Sequence, residues 1–130
     1  NASSLLLYAE EGLQKITEKQ PFKNDKTLLE STKKSMELYK KSATEYIPAV
    51  IDFLMFNTKF EEAKISLERK KDNERTKEEI DSYNQMVKDI NKRINDFNKI
   101  SSKFTQDKNN MINQWNTTGE QFISRHVPND

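Results

Sequence analysis

The stretch TKEEIDSYNQMVKDINKRINDFNKISSKFTQDKNNMINQWNTTGEQFISRH, residues 76–126, reads as one unbroken amphipathic helix to which the rest of the chain must answer. Its start is marked by Thr76 with Glu79 three residues on. In such a capping box each side chain satisfies a backbone N–H that the helix leaves orphaned. From there a spacing of three and four picks out Ile80, Tyr83, Val87, Ile90, Ile94, Phe97, Ser101, Phe104, Lys108, Met111, Trp115, Thr118, Phe122 and Arg125. All but Ser101, Lys108, Thr118 and Arg125 are apolar or aromatic; off the stripe only Met86, Ile100, Ile112 and Ile123 are. A narrow apolar stripe on a polar cylinder is the pattern of a helix-bundle seam. No proline interrupts it, and Gly119 is its only glycine. At 1.5 Å per residue such a helix runs roughly 75 Å, and its stripe stays in water unless other helices cover it. Lys108 is expected to snorkel its charge outward along its stem.

Composition points the same way. Two glycines and three prolines in 130 residues leave little material for hairpins or a sheet, and a hydrophobic content of 33% suits thin helices with much surface. The expectation is an all-α fold: an elongated antiparallel bundle of one short and two long helices, forming a single domain over residues 3–127. Residues 1–2, Asn1-Ala2, read as the scar of a cleaved purification tag. Net charge is +1, with 22 basic and 21 acidic residues interspersed. Nucleic-acid binding calls for a basic face, whereas Lys33-Lys34, Lys40-Lys41 and Lys70-Lys71 alternate with glutamates. No nucleic-acid partner is expected. Without cysteine the chain has no disulfide, thiolate metal site or cysteine nucleophile. No run approaches the ~20 apolar residues of a membrane span.

Ser3 and Ser4 are positioned to cap a first helix ending near Lys19, with an apolar face of Leu5, Ala9, Gly12, Leu13 and Ile16 widened by Leu6 and Tyr8. Pro21 discourages helix at Gln20, so Gln20–Asp25 is a connector, with Asn24 or Asp25 available to cap the next helix. That second helix starts near Lys26 and reaches about Arg69, with Leu29, Thr32, Met36, Tyr39, Ala43, Tyr46, Val50, Phe53 or Leu54, Asn57 and Phe60 as its stripe. Pro48 lies inside it. A mid-helix proline removes a hydrogen bond and presses on the carbonyl four residues back, so a kink is expected there. Lys70–Arg75 is the charged corner before the long helix.

Just beyond Pro48, Val50-Ile51-Asp52-Phe53-Leu54-Met55-Phe56 is apolar almost all round the helix, Asp52 excepted. A helix apolar all round is a helix buried all round, and one antiparallel neighbour cannot achieve that. Ile51, Phe53, Met55 and Phe56 are therefore the candidate interaction surface. A second copy of the chain, a further helix or another protein is expected to cover residues 50–56.

Catalytic chemistry has little to work with. Di-iron bundles need Glu-x-x-His pairs on facing helices, and the one histidine, His126, ends the last helix, where an imidazolium meets the helix dipole favourably. Glu61-Glu62 and Glu78-Glu79 are expected to be solvated, and the serines and threonines lack a histidine base to activate them. Tyr39, Tyr46, Tyr83 and Trp115 fall on the seams. No enzyme activity, metal or cofactor is expected.

Pro21-Phe22-Lys23-Asn24-Asp25 follows a short helix and opens a long one carrying Tyr39 and Tyr46; the second long helix closes with Phe122-Ile123-Ser124-Arg125-His126. In these features the chain resembles a family of bacterial helical surface proteins or lipoproteins of unknown function, found in spirochaetes and Bacteroidetes. Members often have glycine where Asn24 stands, and carry a further N-terminal helical segment preceded by an export signal. The resemblance implies an exported, cell-envelope protein and a further helix to cover Phe53 and Phe56. It implies no catalytic residue. The leading functional expectation is a non-enzymatic binding or assembly module of the envelope; a small-ligand-sensing bundle and a cytosolic coiled-coil adaptor are the alternatives.

Overall fold

A computed structural model describes residues 1–128. Among them the regular structure is entirely helical, so the chain is an all-α helical bundle. In order come α1 (Ala2–Glu18), α2 (Thr27–Lys41), a π-helical segment (Ser42–Tyr46), α3 (Ile47–Glu68), a 3-10 turn (Asp72–Glu74) and α4 (Lys77–His126). Two compact units divide these elements: Asn1–Ile47 with the chain from Ser102 onward, and Pro48–Ser101.

In the first unit α1 packs on α2 and on the π-helical segment. The two helices approach through small residues: Ala9, Ser35, Ser42 and Ala43 are buried, and a Cβ on Gly12 would stand 3.1 Å from Met36 Sδ. Gly12 is thus a close-approach position whose missing side chain leaves room for Met36. Ala9 alone of α1 is fully covered, and Tyr8, expected on the packed face, is exposed instead. Asn1 rather than Ser3 or Ser4 caps the helix, its Oδ1 accepting the Ser3 N–H at 2.9 Å. Tyr46 stacks on Phe104, ring centroids 4.3 Å apart, against the second half of α4. Tyr39 and Trp115 stand outside the packed seam, and Lys108 is exposed while Asp107, paired with Lys103 at 3.0 Å, is half-buried.

Pro48 does not break the helix. The strain it imposes is taken up one turn earlier, where Ile47 N–H reaches five residues back to Ser42 O. This π turn satisfies the donor before the proline and gives the chain one extra residue in that turn. It also shifts the phase of the 3–4 stripe at that turn.

The second unit is a two-helix hairpin. Its antiparallel register is set by two aromatic stacks, Phe53 on Phe97 (4.8 Å) and Phe60 on Tyr83 (5.7 Å). At the corner the expected capping box is present: Thr76 Oγ1 accepts the Glu79 N–H at 3.1 Å, and Glu79 Oε2 accepts the Thr76 N–H at 3.0 Å. Glu79 also pairs with Lys70. It is therefore no solvated bystander, and the Lys70 contact, then the Thr76 N–H, hold its carboxyl below the usual carboxylate range. Arg75 closes the other side of the corner, donating Nε to Leu67 O (3.0 Å) in the last turn of α3 and to Lys70 O (3.2 Å) just beyond it. Ile90 is the one buried residue of α4, and α3 has none.

Candidate functional site

The four side chains singled out by the sequence divide into two pairs. Phe53 turns toward α4 and stacks on Phe97, with the rings 12° from parallel. Phe56 is half-buried beneath the Arg93 guanidinium, whose carbon stands 4.2 Å from the ring centroid. Arg93 Nη1 also reaches Asp52 Oδ2 at 2.6 Å. One arginine thus covers an aromatic face and neutralises the only charge in the apolar segment, an arrangement suited to a planar, weakly hydrated cation. Ile51 and Met55 are not brought into any packed layer. They stand 50% and 58% exposed, and Leu54 between them 54%.

The physical reason is the hairpin itself. With side chains 100° apart, α4 covers the arc of α3 that carries Phe53, Asn57, Phe60 and Leu67. Ile51 and Met55 point directly away from it. Leu54 and Ile65 point to one flank, where Ile80 and Ile94 of α4 are also exposed. On the opposite flank Asp52, Arg93, Phe97 and Ile100 line a groove of about 450 Å³ that starts at Ala49. Sequence periodicity named Ile80 and Ile94 as seam residues, yet both are exposed, while Arg93 next to Ile94 is half-buried against Asp52 and the Phe56 ring. The long apolar stem and flat charged head of arginine let it occupy a seam position that hydropathy assigns to isoleucine.

A second cluster lies in the other unit and was legible only in part. Phe22-Lys23-Asn24-Asp25 folds into a tight turn closed by Asp25 N–H to Phe22 O at 2.9 Å, with Lys23 (φ 48°) and Asn24 (φ 60°) both left-handed. Asp25 Oδ1 accepts the Thr27 hydroxyl (2.6 Å) and backbone N–H (3.0 Å), so it caps the start of α2. Its Oδ2 accepts Arg125 Nε at 3.0 Å and stands 2.8 Å from His126 Nε2. The His126 ring in turn packs edge-on against Phe22, centroids 5.3 Å apart, and beside Phe122 at 4.6 Å. The Thr27 hydroxyl first, then His126, the Thr27 N–H and Arg125, hold the Asp25 carboxyl well below the usual carboxylate range. The connector before α2 and the last turn of α4 therefore meet here. Every polar group named is engaged by another, so the cluster fastens a corner.

Among the described residues no three His, Cys, Asp or Glu side chains are grouped to hold a metal ion, and no helix is long and apolar enough to cross a membrane. Compared with protein-family models, with curated proteins and with solved structures, the chain finds no match.

Proposed function

We propose that the chain is a non-enzymatic helical module of the bacterial cell envelope, acting by binding or assembly through the uncovered apolar side chains of its Pro48–Ser101 hairpin. One observation carries the reading: α3 is apolar on both sides and has no buried residue, with Ile51, Leu54 and Met55 all exposed. Contiguous exposed apolar surface on a folded protein marks an interaction site. The envelope location rests on the family resemblance, whose two motifs meet at Asp25 and His126. Sizing the natural protein from fractionated source cells tests both parts. The reading expects it in the envelope fraction, in a native species larger than its own denatured chain. A native species no larger than the denatured chain, in the cytosolic fraction, would overturn it.

A small-ligand-sensing bundle is the second reading, favoured by the charged groove of about 450 Å³ beside Pro48, which Asp89, Lys92 and Asp96 line together with Asp52 and Arg93. Its test is a thermal shift with charged metabolites. A shift abolished by Lys92→Ala would favour it, and no shift across such a panel would set it aside.

A further inference from the structure

We infer that the partner of the hairpin is a second copy of this chain, which packs antiparallel on the flank formed by Leu54, Ile65, Ile80 and Ile94 to complete a four-helix bundle. This rests on the assembly reading above and specifies its partner. Exposed apolar side chains give the first reason. Among the described residues of the hairpin Ile90 alone is a buried apolar residue, while Leu54, Ile65, Ile80 and Ile94 of one flank stand 54%, 45%, 40% and 38% exposed.

The pattern of α4 gives the second. Ile80, Val87 and Ile94 occupy one row of its heptad stripe; Tyr83, Ile90 and Phe97 occupy the other. Coiled-coil and bundle helices bury both rows. In the chain alone only the second row is used: Tyr83 and Phe97 stack on α3 and Ile90 is buried. The first row is left over, with Ile80 and Ile94 exposed and Val87 half-buried.

Self-complementarity is the third reason, and it selects a second copy over another protein. Ile80 and Ile94 stand symmetrically about Val87. The two aromatic stacks bracket the level of Val87 between residues 56 and 63 of α3, a span centred midway between Leu54 and Ile65. Along the flank the order is thus apolar pair, Val87 beside the exposed Glu61, apolar pair. A two-fold axis through Val87, lying in the flank and across the helices, sets Ile80 against Ile94 of the partner, Leu54 against Ile65 of the partner, and Val87 against its own copy. Closed two-fold contacts of one patch with itself are the commonest mode of assembly.

The sequence holds no cysteine, so single cysteines report the geometry directly. Sedimentation equilibrium of the whole chain should give twice 15.3 kDa. Ile94→Lys should return the single-chain mass with helical circular dichroism retained, whereas Ile112→Lys, an exposed position outside the hairpin, should leave the double mass. Under mild oxidation Val87→Cys should form a disulfide dimer as the major product. Ile80→Cys and Ile94→Cys should each cross-link poorly alone and efficiently when mixed. A single-chain mass for the unaltered protein at ~100 µM, well above ordinary dimer affinities, would overturn the second copy; a larger species from source cells would then still uphold the assembly reading. Double mass with Ile80→Cys linking efficiently to itself would replace the antiparallel arrangement by a parallel one, as in a coiled-coil adaptor, and also overturn the inference.

Discussion

The Asp25 carboxylate stands 2.8 Å from His126 Nε2, joining the connector before α2 to the final turn of α4 across 101 residues of sequence. Both side chains are largely shielded, and Arg125 reaches the same oxygen. Asp25 is ionised in a setting that its donors favour, so its proton affinity is lower folded than unfolded. Glu79 is depressed likewise by Lys70 and Thr76. In both cases the unfolded chain binds more protons, so stability rises with pH across this range. The contribution is complete above the ordinary carboxylate range near ~4 and is lost progressively as pH falls through and below it. Thermal melts from pH 7 to pH 2 should show a falling midpoint. Asp25→Asn should have a lower midpoint than the unaltered chain at pH 7 and a shallower dependence on pH below 5. Equal slopes for the two proteins would show that the corner is not coupled to folding.

Thr76 Oγ1 and Glu79 Oε2 exchange hydrogen bonds with each other's backbone at the start of α4. Thr76→Ala removes one of them and should destabilise the protein by about 1 kcal/mol, the usual cost of losing an N-cap side chain. Denaturant unfolding checks this, with Thr105→Ala, an exposed position mid-way along α4, as the control expected to be neutral or slightly stabilising.

The two glycines should respond differently. A Cβ on Gly119 meets nothing within 4 Å, so Gly119→Ala should gain about 1 kcal/mol from helix propensity alone. A Cβ on Gly12 meets Met36 Sδ at 3.1 Å. Gly12→Ala should therefore gain less than Gly119→Ala, because Met36 must shift. Gly12→Leu should lose about 1–3 kcal/mol by overpacking. Melting temperatures of the three variants give the order directly.

Lys23 and Asn24 both hold left-handed backbone angles, which cost a side-chain-bearing residue roughly 1–2 kcal/mol and asparagine less. Lys23→Gly should raise stability by about 1 kcal/mol, and Asn24→Gly should change it by less. Asn24→Val should lower stability. Chemical denaturation of the three variants checks the order.

The all-α architecture and the Thr76 capping box were readable because they depend on local spacing. A stripe of fourteen positions at three- and four-residue steps matches the period of a helix and not that of a strand. The exact rotation of each helix was less readable. The π turn at Ser42–Tyr46 inserts a residue that hydropathy does not signal, and Tyr39 of the expected stripe is exposed. Arg93 displaced Ile94 because a guanidinium that finds Asp52 and the Phe56 ring no longer behaves as a surface charge. At the other corner, Asp25 was legible as a cap and His126 as a helix-terminal cation, each from its neighbours. Their meeting was not, since nothing local to either fixes which residue the other end of the chain brings up. For the interaction surface, the run Val50–Phe56 revealed an excess of apolar surface. The hairpin register was needed to divide it into Phe53 and Phe56, which the chain covers itself, and Ile51, Leu54 and Met55, which it does not.

Amide hydrogen exchange at two protein concentrations tests most directly whether the hairpin completes its core with a second chain. Raising the chain from ~1 to ~100 µM, a range that spans ordinary dimer affinities, should increase protection at residues 50–68 of α3 and 77–97 of α4. Amides of the α1–α2 contact around Ala9, Gly12 and Ala43 should stay unchanged. Protection of the hairpin that is independent of concentration, in a chain that sediments as a single 15.3 kDa species at both concentrations, would contradict the account.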